Sequence, residues 1–259
     1  MNKTETRAYA AKDSAIQWDR ILALCGFYGS LLAAVAALSA GFGSRSGLWH
    51  FRTGFAILNW AAWGGIAAAG IALCGVIAAI KERQFNNGGL ALLGLIVGVI
   101  IFAVPYSWQS AARAVPPIHD ITTDLDHPPR FVAILPLRQD APNPAEYGGS
   151  EVALQQRAAY PDIRTVLLNA RPEEAFTRAL ATAHDLGWKV VASLPAEGRI
   201  EMTDTTFWFG FTDDIVIRIA PDADRSRVDI RSVSRVGRSD VGTNARRIRA
   251  FIQYLTQAD

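Results

Sequence analysis

Cysteine is nearly absent from this sequence: its 259 residues hold two, Cys25 and Cys74, and both fall inside long apolar runs. The region after Tyr106 therefore has no disulfide to hold it and must rely on its own core. No CxxC or other zinc spacing occurs. GxSxG, HExxH and Walker patterns are also missing, which removes the hydrolase and nucleotide chemistries that those motifs carry. The third absence is of charge. No Lys, Arg, Asp or Glu lies within residues 21–40, 55–80 or 88–106.

Each of these runs reaches the ~20 residues that cross a hydrocarbon core, and none carries the polar stripe that a soluble amphipathic helix shows. They are read as three transmembrane helices in an α-helical membrane region at 20–108, after a cytoplasmic tail at 1–19. A cleaved signal peptide is the competing reading of the first run, but that run is too long and two more spans follow it. Basic flanks orient the spans. Lys3, Arg7, Lys12 and Arg20 precede the first, and Lys81 and Arg83 separate the second from the third; Arg45, Arg52 and Arg113 lie on the other side. Six against three favours the N-terminus inside and the region after the third span outside, and the expected setting is a bacterial inner membrane with the N-terminus cytoplasmic and the C-terminal domain periplasmic. Trp49, Trp60, Trp63, Tyr106 and Trp108 fit an outer aromatic belt. With Asn59 as the one strongly polar side chain well inside a span, a pump or transporter is disfavoured. Gly26 with Ser30, and Gly94 with Gly98, have the spacing that lets helix backbones approach closely.

Residues 109–160 change character. Pro116, Pro117, Pro128, Pro129, Pro136, Pro142 and Pro144 resist helix and favour extended backbone. An ordered but irregular strap is expected, with the apolar run 131–135 as an edge strand or a docked segment. His119, Asp120, Asp124, Asp126 and His127 are ligand types for a divalent ion, but their spacing matches no motif. No metal and no cofactor is expected.

From residue 161 the periods become regular. A strand at 163–168 leads to a helix that opens at Arg171-Pro-Glu-Glu and lines up Phe176, Ala179, Leu180, Ala183 and Leu186 before Gly187 stops it. Strands follow at 188–192 and 199–206. Then Ile215, Ile217 and Ile219 alternate with Val216 and Arg218, and after a turn Val228 and Ile230 alternate with Arg227, Asp229 and Arg231. Pairing Ile217 with Ile230 sets Arg218 opposite Asp229 and leaves a solvated charged ladder. Val241, Ala245, Ile248, Ile252 and Leu255 recur at helical spacing. The order β-α-β-β-β-β-α predicts an α+β domain at 161–259, an antiparallel sheet with two helices on one face.

Thr205-Thr-Phe-Trp-Phe-Gly-Phe-Thr-Asp-Asp-Ile-Val-Ile-Arg, followed by Arg231-Ser-Val-Ser-Arg-Val-Gly-Arg-Ser-Asp, resembles the domain of unknown function (DUF) family 1499 over roughly residues 115–257. Many members carry a Ser-Pro-Asn-Cys segment at the start of the domain. This chain has Pro116-Pro-Ile-His-Asp-Ile-Thr-Thr-Asp there, which places it among membrane-anchored members and excludes cysteine chemistry. The family has no established activity, so the resemblance implies a fold and a cell-envelope setting.

Eight arginines lie between Arg225 and Arg249. Across 161–259 fourteen basic residues meet fourteen acidic ones, and no nucleic-acid partner is expected. Arg218, Arg227 and Arg231 are read as cross-strand partners. Arg235, Arg238, Ser239, Asn244, Arg246 and Arg247 form a candidate anion site on a loop and helix start. Trp208 and Phe209 belong to an aromatic cluster with more rings than one strand end buries. The expected partners are the lipid bilayer and a membrane or periplasmic protein. The expected function is a non-enzymatic binding or assembly module that engages an anionic ligand, lipid or protein. The alternative is a membrane-anchored envelope hydrolase using Asp213 or Asp214 with His119, Asp204 or His184. Adjacent strand residues point to opposite faces, so the two aspartates do not make a general acid–base pair.

Overall fold

The computed structural model describes residues 17–257. These residues divide into two compact units, with the boundary between residues 107 and 108. In the first, α1 (Trp18–Arg45), α2 (Phe51–Glu82) and α3 (Phe85–Arg113) are each long and apolar enough to cross a membrane. Their contacts run along small residues. A Cβ on Gly26 would sit 2.6 Å from Ala72 Cα, and one on Gly98 would sit 2.4 Å from Gly65 O. Ser30 Oγ donates to Gly94 O at 2.8 Å, which satisfies a hydroxyl that lipid could not. Both small-residue pairs are thus used inside the three-helix bundle, while Leu32 and Trp60 face outward.

The second unit is built on an antiparallel sheet in the order β1-β6-β5-β4-β3. Its strands are β1 (Asp120–Thr122), β2 (Val166–Leu168), β3 (Lys189–Leu194), β4 (Arg199–Thr205), β5 (Thr212–Asp222) and β6 (Arg225–Ser234). β1 and β2 both pair with β6, β1 along residues 231–233 and β2 along 226–228. The helices are α4 (Gly149–Ala159), α5 (Pro172–Asp185) and α6 (Thr243–Gln257). Ile217 pairs with Ile230 and Arg218 with Asp229, the register that alternation predicts. Ile200, Met202, Ile215, Ile217 and Ile230 are fully buried against Phe176, Ala179 and Ala183 of α5 and Ile248, Phe251 and Leu255 of α6. Both helices therefore lie on one face. At the β3–β4 turn Gly198 has φ +59°, and a Cβ there would fall 2.0 Å from Ile219 O, so only glycine fits.

The opposite face departs from the expectation of a solvated ladder. Residues 109–160 do not merely lead to the domain: they supply β1 and α4, and the intervening chain folds over the sheet. The run 131–135 forms no strand; Phe131 and Ile134 dock on Val216 and Val233 in a second, smaller core. Asp214, Asp229, Arg231 and Glu201 are consequently buried. The physical reason lies in the strap. Irregular backbone covering a sheet has N–H and C=O groups with no ladder to join, and these must find partners elsewhere. The charged side chains supply them. Glu201, fully buried, accepts from the N–H groups of Val132, Ala133 and Ile134 at 3.0–3.1 Å. Arg231 Nη1 and Nη2 donate to the carbonyls of Pro129 and Ala145. Arg138 Nη2 reaches Asn143 O and Pro144 O, and Arg235 Nη1 reaches Leu137 O.

Candidate functional site

The hairpin of β5 and β6 distributes its charges to both sheet faces because neighbouring residues on a strand alternate. On the strap face, Asp214 receives Arg138 Nη1 at 2.7 Å and Arg235 Nη2 at 2.8 Å. Beside it Arg231 grips Asp120 with two parallel bonds, Nε to Oδ1 at 2.9 Å and Nη2 to Oδ2 at 2.7 Å. Its guanidinium lies over the rings of Phe131 and Tyr147. Burial pushes the Tyr147 hydroxyl, which has no hydrogen-bond partner among the described residues, up to about 12. Farther along, Asp229 takes Arg218 and Arg227, and both arginines also reach Asp124. Burial would raise the Asp124 carboxyl, but the His127 N–H, Arg218, Arg227 and the Asp126 N–H together hold it below the usual aspartate value.

On the helix face, Arg247 of α6 bridges Asp204 and Asp213 at 2.7 Å each and donates to Ser232 Oγ and Asn244 Oδ1. Burial works against that cation, yet Asp213 and Asp204 keep its pKa above the ordinary arginine value. The paired aspartates at 213 and 214 thus serve different arginines on different faces. No acid–base pair is formed between them.

The six polar residues singled out on the loop and helix start separate by the same rule. Arg235 turns to the strap face and Arg247 to the helix face, so their guanidiniums do not converge on one anion. Asn244 is fully buried and donates from Nδ2 to His119 O and Ser234 Oγ. Ser239 Oγ donates to Pro116 O and accepts from Val241 N. The donors at the start of α6 are met by the chain's own Asp240, whose carboxylate accepts from Gly242 N at 2.9 Å and Asn244 N at 2.6 Å. Burial raises the Asp240 carboxyl despite these bonds. Arg246 is exposed and reaches Val241 O and Thr243 Oγ1. Arg238 is exposed and has no ion-pair or hydrogen-bond partner among the described residues. Between them Val241 has φ +53°, a left-handed conformation that is strained for a β-branched residue.

The aromatic segment forms the β4–β5 loop, closed by Thr206 N to Phe211 O and by Phe211 N to Thr206 Oγ1. Phe209 is buried, stacks on Phe211 at 5.5 Å and meets Trp208 edge-on at 5.0 Å. Phe207 is 76% exposed. Arg235 N donates to Thr212 O, so the aromatic loop and the arginine loop leave the sheet at the same end. The segment that brings the chain into the domain lies there too, through Asp240 N to Ile118 O and Ser234 N to His119 O.

In the segment 119–127, Asp120 and Asp124 hold arginines, and no group of three His, Cys, Asp or Glu side chains among the described residues is placed to hold a metal ion. The sequence offers Asp120 as a metal-ligand type and not as the partner of Arg231, 111 residues away, and it does not mark Arg138 or Glu201, which reach Asp214 and Ile134 across 76 and 67 residues. No local pattern marks them.

Comparison with curated proteins finds no match. A family model described as protein of unknown function (DUF1499) matches residues 120–255, from the first residue of β1 to within two residues of the end of α6. The match takes in the whole sheet and more than half of the chain, and the protein belongs to the DUF1499 family.

Proposed function

We propose that the protein is a non-enzymatic binding or assembly module of the bacterial inner membrane. In this reading the N-terminus is cytoplasmic, the three helices anchor the chain, and the C-terminal domain stands in the periplasm, as the excess of basic residues on one side of the spans favours. The binding end comprises the aromatic loop, with Trp208 and Phe209 at its base, and the loop carrying Arg238 and Arg246. Its partner presents an anionic group, on a ligand, a lipid or a protein.

The observation that carries this reading is the meeting of the two loops at one end of the sheet, with Arg238 and Arg246 exposed while Arg235 and Arg247 are taken up by internal carboxylates. A guanidinium beside an aromatic surface offers both forked donors and apolar contact, the combination that interface anchors use. The strained backbone at Val241 is consistent with a loop shaped for contact.

A photo-crosslinking side chain placed at position 238 in the full-length protein, irradiated in native membranes, tests the site. The expected result is a discrete adduct that is absent when the same side chain stands at position 171, just before α5 and toward the other end of the sheet. Equal or absent labelling at the two positions contradicts the assignment.

A further inference from the structure

A cleft of about 340 Å³ opens at another place in the domain, sharing no residue with the arginine loop. Its lining includes Arg157 near the end of α4, Tyr160, Pro161 and Ile163 just after that helix, Arg164 and Arg227, together with the turn at 123–126. We infer that this cleft binds a small organic anion, a carboxylate or phosphate head on a short apolar body.

The charge balance of the lining decides the sign. Three guanidiniums face two carboxylates, Asp124 and Asp126. Asp124 is already saturated: Oδ1 accepts from Asp126 N and His127 N, and Oδ2 from Arg218 and Arg227. It has little left to offer a cation. The arginines, by contrast, keep donors in reserve. Arg227 uses Nε on Asp229 and Nη2 on Asp124 and Thr165, leaving Nη1. Arg164 uses only Nε, on Pro161 O, and Arg157 is exposed with no ion-pair or hydrogen-bond partner among the described residues. Forked donors matched to a planar carboxylate or a phosphate are what guanidiniums provide and an ammonium does not. The apolar part of the lining, Tyr160, Pro161 and Ile163, gives the ligand's body a surface to cover. A volume near the lower bound for ligand pockets limits that body to something like one ring or a short chain.

The test uses the full-length protein in detergent and four probes: phenyl phosphate, benzoate, inorganic phosphate and benzyl alcohol. Titration calorimetry is expected to detect phenyl phosphate or benzoate at submillimolar to millimolar concentration. Inorganic phosphate alone should bind several-fold more weakly, and the neutral alcohol not measurably. Arg157→Ala with Arg164→Ala should lower the affinity about tenfold or more with thermal unfolding unchanged, because both side chains are exposed. Arg171→Ala, at an exposed arginine just before α5, should leave it unaltered. Failure of both aromatic anions to bind the wild-type protein at millimolar concentration overturns the inference, as does equal affinity in the double variant. Tighter binding of inorganic phosphate than of phenyl phosphate refutes the role of the apolar lining.

Discussion

Asp214 concentrates the logic of the fold in one side chain. It is fully buried, and it neutralises both Arg138 and Arg235. A buried ion cluster contributes little net stability compared with an apolar core, because desolvation offsets the attraction; removing one member, however, strands the others. Asp214→Asn should therefore destabilise the domain by about 3–5 kcal/mol, measured by chemical denaturation. Asp162→Asn, which frees Arg249 from an exposed pair, should cost under about 1 kcal/mol. Equal effects would show that the buried cluster is not the structural element described.

Asp124 adds a pH signature at the same scale. Its folded pKa lies below the usual aspartate value, so the unfolded chain takes up the proton first as pH falls. Its contribution is complete above that usual value, near 3.8, and disappears as pH drops through the lower folded value. The stability gap between wild type and Asp124→Asn should accordingly narrow below pH ~4. A gap constant from pH 7 to pH 3 would count against the pairing with Arg218 and Arg227. Asp240 has the opposite sign, since its folded pKa is raised: its ionisation weakens the fold progressively as pH rises through that value.

Among the elements, the strap is the one whose role is least apparent from the sequence. The hairpin was legible because alternation of Ile215, Ile217 and Ile219 with charged neighbours has one register that buries every isoleucine. Helices α5 and α6 were legible from their apolar stripes, whereas α4 was not expected within the proline-rich segment. The prolines between residues 116 and 144 carry no period, and their backbone is satisfied by side chains distant in sequence, such as Glu201 and Arg231. For the same reason the ladder looked solvated and the arginine loop looked like one converging site. Nothing local says that Asp240 fills the start of α6 or that Arg235 and Arg247 part to opposite faces.

That dependence is testable by truncation. A fragment of residues 114–259 should fold cooperatively, since it retains β1, the Asp120–Arg231 pair and the covering layer. A fragment of residues 161–259 exposes Phe131's partners Val216 and Val233, removes Arg138 from Asp214, and leaves Arg231 without its carboxylate. It should show no cooperative thermal transition. A sharp transition in the shorter fragment would mean that the strap is an accessory and not a layer of the domain.

For the whole molecule, the proposed orientation, with the N-terminus cytoplasmic and the C-terminal domain periplasmic, is one that labelling can read. Cys25 and Cys74 lie within apolar helices. In a background with both replaced by serine, a cysteine at Gly47 or Glu197 should react with a membrane-impermeant maleimide added to cells with a permeabilised outer membrane. One at Gln84 should not react until the inner membrane is opened. The reverse pattern would invert the proposed orientation.

The central functional claim is that most of the arginines hold the strap and helices to the sheet, while Arg238 and Arg246 remain for a partner. Gentle solubilisation of native membranes, purification of the full-length protein and identification of what stays bound tests this most directly when wild type is compared with Arg238→Ala plus Arg246→Ala. The account predicts a retained lipid, ligand or protein that falls about tenfold in the double variant, with thermal unfolding unchanged. Undiminished retention in the double variant would contradict it.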